Sequence, residues 1–583
     1  MIAGGAPSRA APHVPWNDGV AMSMALAQVE ALRRLAREFS PDSADRKQRM
    51  LTDLAAMAID DPATLLAWHD LLLLLLAYPQ TPALREACEA ELVAVADRVQ
   101  RLVAANDGEV PDALYGSGLA GARLAVTFNH QVSRWLCDRF PAQSGLGAVR
   151  GDISAVRAVL RESFPAIEFE ALAADAETAD AYLDELGADR APSRLRWLLD
   201  AVDAVPASPS IRRRLWNDLD AFVRVSSTPR ALSRATLRGL DHPVYFHDAP
   251  LQRAEDARAI LDAPLLPQLA LAAPDRDRLL TAARGLLALL GRQTEPISDC
   301  DGDGVHAFDL GRGVVIGLFS ASPADRPPLD SHIGMMLFKN GLPVAYGGGW
   351  PFLGVCKIGI NVFEPYRGGE SHFLFLSTLR AYRWLFGIHR FIVERYQFGR
   401  NNPEGVESGA YWFYYRLGFR SMRADLAERA EEEWRRLQTE RGRTTPRETL
   451  VAFTEAHMEL RLPDCPPGYD YVDPADLSWA ATRIAAARFN GDRKRFARWA
   501  ERRTRAALGF EGRLSARERG ALSAVAPAIA LIPDLDDWSA PERGLARDWV
   551  LARSAPQELA FFDILSRHER LAAGLKAVAG LRA

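Results

Sequence analysis

One segment of this 583-residue chain constrains its fold more than any other, because strand, turn and helix patterns follow one another there without interruption. Residues 356–363 are apolar and strand-like, and the pair Gly368–Gly369 predicts a turn. Apolar side chains recur three or four positions apart over residues 371–387, which predicts a helix ending at a glycine. Residues 390–397 alternate like a second strand, and residues 408–418 show an aromatic-rich helical pattern. The predicted order is strand, helix, strand, helix.

Sheet-forming patterns also flank this segment on both sides. Before it, residues 314–319 and 333–338 are strand-like, and Asn340-Gly341 is a hairpin signal that leads into a return strand at 343–349. After it, residues 457–462 predict one more strand. The central segment is therefore expected to belong to a larger sheet.

The central segment resembles the GNAT-type superfamily of acyl-coenzyme-A-dependent N-acyltransferases. Tyr414, Gly418 and Phe419 fit the Tyr-x-x-x-Gly-Phe signature of that family in register. Arg367 opens a glycine-containing loop where members carry Arg/Gln-x-x-Gly-x-Gly/Ala between a strand and a helix. The resemblance covers residues 300–465 and implies a mixed β-sheet.

We therefore predict an α+β protein. A GNAT-like mixed-sheet domain at 300–465 is expected between a helical region at 19–295 and a helical, Arg-rich region at 470–583. Residues 1–18 are predicted to form a flexible tail.

The resemblance implies acyl transfer from an acyl-coenzyme A, acetyl or longer, to an amine acceptor. In such proteins the helix N-terminus after the loop holds the pyrophosphate, because N–H groups and the helix dipole attract anions. Tyr414 is expected to protonate the departing thiolate, and Glu364 to take the proton of the amine. The residues expected to bind the coenzyme are Arg367, Gly368, Gly369, Ser371, His372 and Asn402.

These positions also have structural interpretations that involve no ligand. Tyr414 lies in an aromatic run typical of a buried helix, Glu364 precedes a proline in a turn, and Asn402 is a common loop residue. Glu394, on the second predicted strand, is an alternative base, and a strand-face ion pair is its alternative role.

The loop departs from the family pattern at two positions. Counting from Arg367, Glu370 stands where a glycine is expected, and His372 where a second small residue is expected. A carboxylate beside a pyrophosphate is repulsive, so either the loop is one residue shorter than usual or it binds coenzyme A poorly or not at all. The competing hypothesis is a catalytically silent GNAT-like module within a helical scaffold that binds another protein.

Composition bears on partners and compartment. The net charge of −4 gives no reason to expect nucleic acid, and only five of the 71 Lys and Arg residues are Lys. The five cysteines are scattered without metal-ligand spacing, which favours a reducing compartment and predicts no metal site. The sequence shows neither a signal-peptide pattern nor a run of membrane-spanning length. We therefore predict a cytoplasmic protein without a membrane span.

Three further motifs support weaker hypotheses. Residues 299–304 match the first half of a calcium loop, but Leu310 stands where a bidentate Glu is needed. The G-x-G-x-x-G at 116–121 follows no predicted strand, so a flexible helix entry is expected rather than a dinucleotide site. The Arg and aromatic residues of 483–519 indicate a solvated amphipathic helix, with a basic binding face as the alternative.

Overall fold

The computed structural model describes residues 23–171, 178–252, 257–466 and 471–580, so the predicted tail at 1–18 lies outside the described residues. Its helices, α1 to α24 in chain order, are Met24–Leu35, Pro41–Ala56, Pro62–Ala77, Pro82–Ala105, His130–Arg139, Ile153–Ser163, Ala166–Ala171, Ala179–Glu185, Arg194–Ala204, Pro209–Asp218, Ala257–Asp262, Ala273–Leu289, Glu295–Ser298, Ser371–Phe386, Pro403–Glu407, Ala410–Arg416, Ala424–Thr439, Arg447–Phe453, Pro474–Phe489, Arg493–Leu508, Ala516–Ile529, Ala540–Ala552, Leu559–Arg567 and Glu569–Gly580. Its strands, β1 to β11, are Arg123–Thr127, Ser144–Val149, Ala221–Ser226, Val305–Gly311, Val314–Ser320, Ile333–Lys339, Leu342–Phe352, Val355–Val362, Arg390–Val393, Arg420–Ser421 and Met458–Arg461.

The α+β class predicted from the sequence is confirmed. The predicted strands coincide with β5 to β9 and β11, and the predicted helix of the central segment coincides with α14. The hairpin signal is confirmed as well, since Asn340 and Gly341 have φ values of +49° and +81° between β6 and β7. The second predicted strand, at 390–397, is half as long as expected, because residues from Arg395 to Phe398 form a 3₁₀ turn.

The chain divides into two compact units. The first consists of the described residues within Met1–Pro250, Asp277–Ser298 and Phe338–Val344. The second consists of those within Leu251–Arg276, Asp299–Leu337 and Ala345–Ala583.

The first unit contains helices and a three-stranded antiparallel sheet that the sequence patterns did not indicate. The strand order is β1-β3-β2. The glycine-rich loop at 116–121 leads into β1, so the expected helix entry is wrong: the N–H of Gly116 donates to the Arg123 carbonyl, and that of Gly121 to the Ser227 carbonyl, both at 3.0 Å. Helix α3 has no polar stripe, and its residues from Leu71 to Ala77 are all buried.

The second unit contains the eight-stranded sheet except for the hairpin end of β6 and β7, which falls within Phe338–Val344. The strand order is β10-β11-β9-β8-β7-β6-β5-β4. β8 and β9 are parallel, and α14 lies in the connection between them. Such a crossover is needed because a tight hairpin cannot join two parallel strands. β9 and β11 are antiparallel, and so are β11 and β10.

Helix α14 packs one apolar face on this sheet. Tyr382 is fully buried there, and its hydroxyl donates to the Ile333 carbonyl at 2.6 Å. A Cβ on Gly349 would lie 2.6 Å from the Tyr382 ring, so the glycine permits this close contact of helix and sheet. The contact holds the last turns of α14 against β6 and β7.

A buried ionic cluster ties the end of the chain to the loop before β6. Glu558 accepts hydrogen bonds from Arg553 and from the Ser331 hydroxyl, and the Arg326 Nε lies 3.6 Å from its second oxygen. Buried charges are tolerated when they are paired and hydrogen-bonded, as they are here.

Candidate functional site

The turn between β8 and α14 carries most of the residues singled out in the sequence. Glu364 begins a single 3₁₀ turn, Glu364–Tyr366, and its side chain is exposed. Arg367 is exposed too: its Nε donates to the Val362 carbonyl at 3.1 Å, and its Nη1 lies 2.9 Å from Glu404 Oε1. Gly368 has a φ of +79°, where a side chain would be strained. Gly369 follows, with its N–H bonded to the Tyr366 carbonyl at 3.1 Å.

The first turn of α14 presents backbone N–H groups without an acidic side chain in that turn. Among the described residues, the amides of Ser371, His372 and Phe373 have no hydrogen-bond partner, as is usual at a helix start. Ser371 and His372 are half-buried. The aligned peptide dipoles of this 16-residue helix add partial positive charge at the same point. The turn is therefore suited to hold an anion.

His372 brings no positive charge to this turn. Its imidazole stacks on Phe413 with ring centroids 4.9 Å apart. Burial, aided by the nearby Arg416 charge, lowers the pKa of His372, so the ring is neutral at pH 7.

The Glu370 carboxylate is engaged in internal hydrogen bonds, which the sequence did not indicate. Its side chain is fully buried, and Oε1 accepts hydrogen bonds from the Gln252 N–H at 3.0 Å and from Arg312 Nη2 at 2.5 Å. Arg312 Nε lies 3.1 Å from the same oxygen. The guanidinium compensates the carboxylate, so the expected repulsion of a pyrophosphate is removed by an internal ion pair.

β8 and β9 separate just before this turn. They pair only from Val355–Arg390 to Lys357–Ile392, whereas β8 stays paired with β7 as far as Val362. Beyond Lys357, the edge of β8 that would face β9 lies beside the 3₁₀ turn Arg395–Phe398 instead.

Gln397, on that 3₁₀ turn, lies against the open part of β8. A Cβ on Gly359 would come within 2.7 Å of the Gln397 Nε2. Within the described ranges the Gln397 side chain has no hydrogen-bond partner. The Gln397 amide therefore covers Gly359, and its hydrogen-bonding groups become available to an extended polar chain when this side chain moves aside. Gln397 was not among the site residues predicted from the sequence, because its position continues the alternation of the predicted strand.

Tyr414 lies on α16 within an aromatic cluster. Its ring contacts Phe375, Phe398 and Phe419 at centroid distances of 5.6, 6.4 and 5.9 Å. The residue is buried, and in the described part of the chain its hydroxyl has no hydrogen-bond partner. Burial raises the pKa of Tyr414 well above that of an ordinary phenol. The phenol can therefore donate a hydrogen bond but loses its proton only with difficulty.

Asn402 has a local role in the structure. Its Nδ2 donates to the Tyr396 carbonyl at 3.0 Å, which closes the loop after β9. Its neighbour Asn401 has a φ of +58°, a conformation that Asn tolerates better than most residues. The part of Asn402 in ligand binding stays a prediction, as do those of Glu364 and Tyr414.

Comparisons with known proteins identify no relative. No protein-family model matches the chain, and neither the curated proteins nor the solved structures yield a match. In the part of the chain that the structure describes, no helix is long and apolar enough to cross a membrane, and no group of three or more His, Cys, Asp or Glu side chains is placed to hold a metal ion.

Proposed function

We propose that this protein is an N-acyltransferase that moves an acyl group from an acyl-coenzyme A thioester to an amine. The observation that supports this most is the early end of pairing between the parallel strands β8 and β9, after three residue pairs, in the strand that leads through the glycine turn to the unpartnered amides of α14. An open strand edge binds an extended chain through main-chain hydrogen bonds, and a helix start binds a phosphate group.

The donors present fit coenzyme A. Its pyrophosphate would lie on the amides of Ser371–Phe373, with Gly368 allowing close approach of the backbone. Its pantetheine arm carries two amide groups, which match the open edge of β8 and the side-chain amide of Gln397. Glu370 does not oppose this, because its charge is compensated by Arg312.

In this proposal the protein contributes mainly orientation of the two substrates. The thioester supplies an activated carbonyl. Because burial raises the pKa of Tyr414 above the ordinary range of a thiol, complete proton transfer to a thiolate would be uphill. The phenol instead stabilises the leaving sulfur by donating a hydrogen bond while keeping its proton.

Two variants at one position test the anion site. Ser371→Glu places a carboxylate in the first turn of α14, which favours the helix but repels a pyrophosphate. Ser371→Gln has the same size without the charge. In calorimetric titrations with coenzyme A, we expect Ser371→Glu to weaken binding by about 10-fold or more, about 1.4 kcal/mol, and Ser371→Gln by far less.

Failure to bind coenzyme A at millimolar concentration by the unaltered protein would sink the proposal and favour the scaffold alternative. Equal affinities of the Glu and Gln variants would show that any binding occurs elsewhere. The melting temperature of Ser371→Glu serves as the folding control and is expected not to fall.

A further inference from the structure

Lys357 occupies an unusual position beside the open part of β8. It is the last β8 residue that pairs with β9, and its side chain is 27 % exposed. Its Nζ lies 3.3 Å from Asp473 Oδ2, 3.9 Å from Glu394 Oε1 and 4.9 Å from the centre of the Tyr471 ring. An amine is thus held between two carboxylates where the two strands separate.

Lysine is scarce in this chain, and the other described lysines have different surroundings. Lys47 and Lys339 are fully buried, each against aromatic rings. Lys494 is exposed on α20 and Lys576 lies on α24. Arginine supplies nearly every other cation, but a guanidinium stays protonated and cannot act as a nucleophile, whereas an amine can. Lys357 is therefore the amine of the second unit that combines partial exposure with a place at the open strand edge.

We propose that Lys357 is a self-acylation site of this protein, which rests on the function proposed above. The Lys357 side chain first releases one proton to solvent, and its neutral amine then attacks the thioester carbonyl, so that an amide C–N bond forms and the C–S bond to coenzyme A breaks. Glu394 takes the amine proton, and the thiolate leaves and is protonated from solvent. The products are acyl-Lys357 and free coenzyme A.

The reach of the coenzyme supports this position. A pantetheine arm of about thirteen bonds spans the length of roughly four extended residues. An arm that enters β8 at Val362, the end of the strand that leads to α14, would extend to about Gly359. Lys357 points to the same face of the strand as Gly359, because side chains two residues apart share a face. The four-carbon side chain of Lys357 can span the remaining distance between the strand and the thioester.

Acylation of the full-length chain tests the proposal. The protein is incubated with acetyl-coenzyme A or octanoyl-coenzyme A over a range of concentrations, and peptides are mapped by mass spectrometry. We expect acylation of Lys357 at a rate that saturates with donor concentration, whereas the exposed Lys494 reacts slowly and in proportion to donor. Glu394→Gln should lower the Lys357 rate about 10-fold or more and leave the Lys494 rate unchanged.

The possible failures are distinct. Acylation of Lys357 and Lys494 in parallel would mean uncatalysed reaction and would overturn the proposal. An unmodified Lys357 in a protein that binds coenzyme A would overturn it while leaving the proposed transferase function intact. An unmodified Lys357 in a protein that binds no coenzyme A would remove both.

Discussion

At the residue scale, two tyrosines of α16 allow a paired test of chemistry against packing. Tyr414→Phe removes the hydroxyl expected to stabilise the leaving sulfur, and turnover should fall by about 10-fold or more with the fold retained. Tyr411→Phe is the matched control: within the described residues its buried hydroxyl has no partner, so its loss should leave turnover unchanged and raise the melting temperature. Steady-state kinetics and thermal unfolding of both variants distinguish a chemical role of the hydroxyl from a packing role of the ring. Unchanged turnover in Tyr414→Phe would assign that ring to packing alone.

Glu370 is predicted to be a structural residue, not an obstacle to the ligand. Replacing it by glycine would restore the family pattern but would leave Arg312 and the Gln252 N–H without their carboxylate. We expect Glu370→Gly to destabilise the second unit by about 2–4 kcal/mol, because removing one partner of a buried pair costs more than the pair contributes. Urea unfolding of the variant and the parent protein measures this difference in the free energy of unfolding. A variant as stable as the parent protein, with tighter coenzyme binding, would contradict it.

At the element scale, substitutions of two sheet glycines distinguish an effect on the proposed coenzyme site from a general loss of sheet stability. A Cβ on Gly359 would meet the end of the Gln397 side chain, which can move, so Gly359→Ala should fold but weaken coenzyme A binding by about 10-fold. A Cβ on Gly347 would lie 2.1 Å from the Gly359 carbonyl oxygen, which cannot move. Gly347→Ala should therefore lower the melting temperature severely. Calorimetry and thermal unfolding compare the two. Normal coenzyme affinity in Gly359→Ala would exclude the face of β8 that Gln397 covers as the binding site.

Elements with a strong local pattern could be predicted from the sequence. The apolar period of α14, its terminal glycine and the Asn-Gly hairpin each depend on residues close together in the chain. The sheet β1-β3-β2 depends instead on pairing across about a hundred residues: β1 and β2 both pair with β3, and helices α5 to α10 lie between these strands. Short strands between helical patterns have no periodicity long enough to distinguish them.

The site was predictable only in part, for the same reason. The glycine turn and the helix start are local, and the structure has them where the sequence indicated. The orientation of Glu370 depends on Arg312, 58 residues away, and the surroundings of Lys357 depend on Asp473, 116 residues away. Such contacts leave no spacing pattern in a single sequence.

At the scale of the whole molecule, buried histidines are predicted to make the protein sensitive to acid. Burial lowers the pKa of seven described histidines: His69, His130, His306, His332, His372, His457 and His568. An unfolded histidine has a pKa near 6.5, so below that pH the unfolded chain binds more protons than the folded one. Stability is therefore complete above pH 6.5 and is lost as the pH falls toward the folded pKa values.

His306 allows a quantitative test of this dependence. Burial, with Arg276 and Arg326 nearby, lowers its pKa to about 4, and its Nδ1 lies 3.1 Å from Gln268 Nε2. Between pH 6.5 and pH 4.5 this one group should account for about 2–3 kcal/mol of lost stability, at about 1.4 kcal/mol per pH unit. The glutamine of His306→Gln cannot take up a proton. The melting temperature of this variant should therefore drop by several degrees less between pH 7 and pH 4.5 than that of the parent protein. This holds even if the variant is less stable at pH 7. Arginines lower the pKa of Asp241 and Asp534, whereas burial raises the pKa of Asp330. These carboxylates are present in both proteins, so their titration cancels in the comparison. An equal drop in both proteins would mean that His306 takes up its proton over the same pH range in the folded and the unfolded chain, which would contradict the lowered pKa.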